Sequence, residues 1–229
     1  MIGPQKSPVT TARILAQTKA IRKQMKEMPS ATSILRPDSF LSVPGYLYDV
    51  EGYLLAELAS GRDVLEIGAH LGRSSVAMAY SANSVTSIEH FKGDTMLNEI
   101  PKEEYHKNIR NAGATRKTEL VEADFFSLYA EGKINLLDYS MIFYDGNHQP
   151  PLPYERDFFE IILALYKAPR IAQDERKPQV RILAVHDFKP AETAFTATVE
   201  ACNWFTQESG VPMQGNAEHG SVRWWELEF

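Results

Sequence analysis

Cysteine is nearly missing from this chain. Cys202 stands alone, which excludes an internal disulfide framework and any cysteine-ligated zinc or iron–sulfur centre. A packed, reduced thiol in a cytoplasmic protein is the expectation. No apolar run approaches the roughly 20 residues that a membrane span requires, and the N-terminal MIGPQKSPVTTARILAQ has no continuous apolar signal core. Cations are in deficit: 24 Lys and Arg against 30 Asp and Glu leave a formal net charge of −6. That argues against a general nucleic-acid binder, because neutralising phosphates needs a basic surface. What remains is ordinary globular usage, 44% hydrophobic and 24% charged over 229 residues, enough for one domain with a large core and a short accessory segment.

Residues 1–40 divide from the rest. They hold a basic helical candidate, TTARILAQTKAIRKQMKEM, then the breaker-rich PSATSILRPDSF, read as an accessory helix and linker before a domain over 41–229. From Tyr46 the pattern alternates. DVEGYLLAELAS spaces Val50, Leu54, Leu55 and Leu58 for one helix face, and Gly61 ends that helix. Six strand candidates follow, DVLEIGA, SVTSIEH, TELVEA, YSMIFYDG, VRILAVHDF and SVRWWELEF, with helical segments between them. Strands alternating with helices of this length predict parallel βαβ units and a doubly wound α/β sheet. Trp224 and Trp225 alternate on the last strand, one expected in the core and one at the surface, with Trp204 a core helix residue.

In such a sheet ligands bind beyond the carboxyl ends of the strands, near the topological switch point, so the strand-end residues are the candidates. The first strand runs into Glu66-Ile67-Gly68-Ala69-His70-Leu71-Gly72-Arg73-Ser74-Ser75. Gly68 lets the backbone turn sharply and approach a ligand, Gly72 permits close packing where the next helix begins, and Ser74 or Ser75 can cap that helix. Glu89, followed by His90, lies about 20 residues on, the distance at which a carboxylate accepts hydrogen bonds from ribose hydroxyls. A nucleoside fits both features. The pyrophosphate pattern G-x-G-x-x-G is lacking, which disfavours a dinucleotide.

The fourth and fifth strands end in Asp145-Gly146-Asn147-His148 and His186-Asp187. Polar residues directly after buried apolar runs are costly unless paired, hydrogen-bonded or on a metal. Oxygen from Asp145, Asn147 and Asp187, with imidazole from His148 and His186, offers both acid/base chemistry and hard-cation ligands. Asp145 is read as a metal ligand or orienting carboxylate, His148 as a general base, and His186 as ligand or base.

VLEIGAHLGRSS and SIEH resemble the first and second motifs of class I S-adenosylmethionine-dependent methyltransferases. The resemblance implies a mostly parallel, seven-stranded Rossmann-like sheet with an antiparallel last strand. It implies that Gly68 and its neighbours Glu66, Ala69, His70, Gly72 and Ser74 line the methionine part of S-adenosylmethionine. It also implies that Glu89, with His90, holds the ribose and that Asp124 in VEADFF approaches the adenine amine. DGNHQ and HDF are similar to a subgroup of small-molecule O-methyltransferases that act on sugar hydroxyls of natural products. Some of these hold magnesium with strand-end carboxylates, here Asp145 and Asp187. Asn147 and His186 stand where those enzymes tend to have aspartates, and each change removes an anionic oxygen. Gln149-Pro150-Pro151 with Tyr154 suggests the proline pair of amino-group DNA methyltransferases, but Asp145 to His148 already occupy that strand end. The expected partner is a small-molecule acceptor, with neither nucleic acid nor membrane.

Overall fold

The computed structural model describes residues 34–93, 102–146, 154–168 and 182–228. The predicted N-terminal helix, the charged loop PRIAQDERKPQ, Asn147 and His148 lie outside the described residues. Six strands form one sheet: β1 (Asp63–Ile67), β2 (Ser84–Glu89), β3 (Thr118–Glu122), β4 (Met141–Tyr144), β5 (Ile182–Val185) and β6 (Arg223–Glu226). Their order is β3-β2-β1-β4-β5-β6. All neighbours pair in parallel except β6, which runs antiparallel to β5. The order reverses between β1 and β4, which places the switch point, and therefore the crevice, where those two strands end.

Both faces of the sheet are covered. Along each central strand, successive side chains enter opposite cores: Val64, Met141, Phe143, Ile182 and Ala184 on one side, Leu65, Ile142, Tyr144, Leu183 and Val185 on the other. That is why these strands read as unbroken apolar runs rather than alternating ones. Helices α1 (Asp49–Leu58), α2 (Arg73–Ala79) and α3 (Lys102–Ala112) supply the first core, and α4 (Phe125–Ala130), α5 (Tyr154–Lys167) and α6 (Thr196–Ser209) the second. Trp224 and Trp225 are both buried, one in each core, because β6 is sandwiched rather than half exposed. Trp225 packs edge-on against Phe159 and Phe205, and Cys202 is a buried, unbridged thiol on α6. Trp204 is half-buried, with the Arg156 guanidinium 3.4 Å above its ring.

The strand count also differs from the expectation. Among the described residues the sheet has six strands, not seven. Beyond β6 the chain makes a single antiparallel bridge, in which the Gln214 amide donates to the Trp224 carbonyl at 2.8 Å and the Trp224 amide to the Gln214 carbonyl at 3.3 Å. Pro212, without an N–H, stands two residues before Gln214 and Gly215 turns the chain at φ +99° directly after it, so no longer strand forms. The segment around residue 40 is packed into the domain. Phe40 is 1% exposed, and the Arg73 guanidinium on α2 donates to the Val43 carbonyl at 2.8 Å and to Asp49 at 2.7 Å.

Candidate active site

Gly68 carries the first strand end across the switch point. It sits at φ +88°, and a Cβ there would lie 2.1 Å from the Asp145 carbonyl oxygen. Only glycine lets the ends of β1 and β4 approach this closely. The approach is fixed by the Asp145 amide, which donates to the Ile67 carbonyl at 2.8 Å, while the Gly68 amide donates to the Ile88 carbonyl of β2 at 2.9 Å. Three non-glycine residues adopt positive φ, His70, Phe91 and Asp187. They follow β1, β2 and β5, so the strained backbone of the described chain gathers at one rim of the sheet.

Glu89 organises that rim. Its Oε2 accepts from the amides of Ala69 and His70 at 3.1 and 3.0 Å, and its Oε1 from the amide of Phe91 at 2.8 Å. Oε1, with one N–H, keeps acceptor capacity for a ribose hydroxyl. His90 Nδ1 accepts from the Lys92 amide at 3.0 Å. Asp124 caps α4, its Oδ1 accepting from the amide and hydroxyl of Ser127, both at 2.8 Å.

Glu66 points into the fold beneath the turn. It is fully buried and accepts from the hydroxyls of Ser74, Ser75 and Ser87, each at 2.5 Å. Ser74 and Ser75 therefore serve this carboxyl rather than capping α2, whose N-cap position is Gly72. Burial raises the Glu66 pKa to about 7 against the partial relief from the three serines, so near neutrality the group exchanges between carboxylic acid and carboxylate.

The second half of the site joins residues far apart in sequence. His186 is 2% exposed, with Nδ1 3.0 Å from Asp145 Oδ1 and Nε2 3.1 Å from Glu51 Oε2. Both ring nitrogens face carboxylates, and an imidazole donates from both only as the imidazolium. Burial alone would lower the His186 pKa; Asp145, Asp187 and Glu51 together raise it well above the usual histidine value. Glu51 is likewise fully buried. Its Oε1 accepts from the amide and hydroxyl of Ser221 at 2.6 and 2.8 Å, and its Oε2 also from the Tyr48 amide at 2.7 Å. Burial would raise its pKa, but His186 and these donors hold it at about 2. Asp187 accepts from the ammonium of Lys189, and although burial pulls the Lys189 pKa down, Asp187 leaves it raised.

The expected residues Asp145, His186 and Asp187 thus do meet, with one ligand atom of each within 4.8 Å of the others. The spacing suits a metal; the occupancy of the donors does not. Both imidazole nitrogens are committed to carboxylates, and Asp187 Oδ1 holds an ammonium. Magnesium wants near-octahedral oxygen ligation, and this set already contains two cations of its own. The expected magnesium site at Asp145 and Asp187 does not fit these residues. Nor does His186, as imidazolium, suit the role of base.

Glu51 and Lys189 were not singled out from sequence. A signal for Glu51 existed, since 51, 54, 55 and 58 have the i, i+3, i+4, i+7 spacing of a buried stripe. The structure buries Glu51 there and leaves Val50 46% exposed. Lys189 had no local signal beyond standing two residues after Asp187.

No protein-family model and no curated protein matches the chain. Solved structures do. The cofactor-bound Rv0187 from MTB is similar at a TM-score of 0.53 and 15% identity, over 96% of this chain and 90% of that one. The O-methyltransferase from Bacillus cereus in complex with SAH gives 0.50 and 15%, over 99% and 93%. TomG from Streptomyces achromogenes, an O-methyltransferase of tomaymycin synthesis in complex with SAM, gives 0.50 and 16%, over 93% and 89%. At these identities the likeness is one of fold, the fold that these solved O-methyltransferases share. No helix of the described residues is long and apolar enough to cross a membrane.

Proposed function

We propose, from that fold, that the chain transfers a methyl group from S-adenosylmethionine to a hydroxyl oxygen of a small molecule, a sugar hydroxyl being the favoured class. One observation carries the reading: the Gly68 turn with Glu89 and the Asp145–His186–Asp187 cluster flank the same crevice, at the switch point between β1 and β4. Solved neighbours of this fold hold SAH or SAM.

When bound, S-adenosylmethionine supplies an electrophilic methyl group on a sulfonium. The turn from Gly68 to Gly72 lines the methionine part, Glu89 receives a ribose hydroxyl and Asp124 approaches the adenine amine. On the other side Asp145 and Asp187 are held in place by His186 and Lys189, so they can accept from and orient the acceptor hydroxyl. In-line displacement needs chiefly this orientation and removal of one proton. Since His186 has both nitrogens committed, His148, three residues past Asp145 and outside the described residues, takes the role of base. The acceptor oxygen then forms the new C–O bond as the sulfonium C–S bond breaks.

Titration calorimetry with SAH, then methyl transfer to a panel of sugar and phenolic acceptors read by mass spectrometry, tests the reading. Binding of SAH with transfer to a hydroxyl is expected. Absence of SAH binding, or tighter binding of NAD, overturns it. SAH binding without transfer to any acceptor would identify a binding module instead.

A further inference from the structure

We propose that Lys189 is the resident cation of the strand-end cluster, its ammonium holding on Asp187 the place that a divalent metal would take. The proposal rests on the reading of this cluster as the acceptor side of the crevice only for what the cation serves; the cation's presence follows from the residues themselves.

Lys189 is built into its position. Its Nζ donates to Asp187 Oδ1, the same oxygen that lies 3.5 Å from His186 Nδ1. It also lies 4.3 Å from the centroid of the Phe195 ring, a cation–π contact that holds the ammonium in addition to the carboxylate. The turn that aims it is fixed by Asp187 at φ +63° and by the Phe188 amide, which donates to the Ser221 carbonyl at 2.9 Å. Ser221 in turn binds Glu51 through its amide and hydroxyl. A Cβ on Gly220, at φ +66°, would fall 2.5 Å from Glu51 Oε1, so the β6 approach is shaped around that carboxylate. Glu51 occupies His186 Nε2 and Asp145 occupies Nδ1, which removes the imidazole as a metal ligand; Lys189 does the same for Asp187 Oδ1.

The charges agree with this assignment. Glu51 and Asp145 flank the His186 ring at 3.1 and 3.0 Å, and Lys189 bonds Asp187, whose Oδ1 lies 3.5 Å from His186 Nδ1. A divalent ion brought to Asp187 would have to displace the ammonium or sit against it, and like charges at contact repel strongly in a partly desolvated site. An ammonium orients and neutralises a carboxylate as a point charge without demanding octahedral ligation. Asp187 can then be held in place beside the acceptor with no exchangeable ion.

Manganese binding, read by the loss of the free-ion electron paramagnetic resonance signal, tests this without reference to methyl transfer. The wild-type chain should leave millimolar manganese free. Lys189→Ala should bind one ion at least about 10-fold more tightly, Lys189→Arg should exclude it as wild type does, and Asp187→Asn combined with Lys189→Ala should lose the gained site. Circular dichroism and SAH calorimetry on each variant establish that it is folded. Wild type binding manganese as tightly as Lys189→Ala, or Lys189→Ala gaining nothing while folded, overturns the proposal. Failure of SAH to bind wild type counts against the methyltransferase reading and leaves the manganese comparison standing.

Discussion

Glu66 offers the most quantitative test of how the turn is supported. It is fully buried, three serine hydroxyls serve it, and its pKa is raised from 4.5 to about 7 by burial. Between these values the unfolded chain has released the proton while the folded chain keeps it, so stability falls as pH rises, by about 1.4 kcal/mol per pH unit. The loss levels off above the folded pKa and totals about 3 kcal/mol, of which about 2.5 kcal/mol falls between roughly pH 5 and pH 8. Glu66→Gln has no proton to lose, and its amide can still bond the serines, whose hydroxyls rotate to accept as readily as donate. The assay is urea unfolding of both proteins across that pH range. The variant should match wild type near the acid end and be more stable by about 2.5 kcal/mol at the alkaline end, a midpoint difference of ~1 M urea. His186, whose pKa is raised above its unfolded value, adds its own decline above about pH 6.5, the ordinary histidine value. That decline is common to both proteins, so their difference isolates Glu66. Curves that stay parallel within about 0.5 kcal/mol, a margin that distant surface changes also produce, would refute a protonated, buried Glu66.

The other expectations concern neighbouring parts of the site. Gly68→Ala should destabilise by at least about 3 kcal/mol, because its Cβ meets the Asp145 backbone, whereas Gly61→Ala, at φ +66° with open space around it, should cost only about 1–2 kcal/mol in the same unfolding assay. Equal costs at the two positions would mean that the β1 and β4 ends are not held together. Glu51→Ala should cost about 3–5 kcal/mol by leaving His186 half-paired. Since the Glu51 pKa is depressed to about 2, its contribution should be present above about pH 4.5 and fade as pH falls toward 2, which acid titration of wild type against the variant would reveal. Glu89→Ala should weaken SAH by about 1–3 kcal/mol and Asp124→Ala by less; calorimetry giving the larger loss at Asp124 would reverse the assigned roles.

Local pattern determined much of this protein. The alternation of strands and helices, the glycine turn after β1 and the polar ends of β4 and β5 were all legible, because periodicity, glycine's access to positive φ and the cost of burying polar groups act over a few residues; the antiparallel last strand was implied only by the family resemblance. Asp145, His186 and Asp187 could be expected to meet, since parallel neighbouring strands bring their ends together. Tertiary structure alone decided what those ends became. Glu51 reaches His186 across 135 positions, and Ser87 reaches Glu66 across 21. Phe40 fills the core ahead of the first strand, and Gln214 joins Trp224 in an isolated antiparallel bridge. None of these is a local preference. Each depends on which elements the sheet order packs side by side, and that order turns a glutamate on a helical stripe into the partner that makes His186 a fixed cation instead of a base.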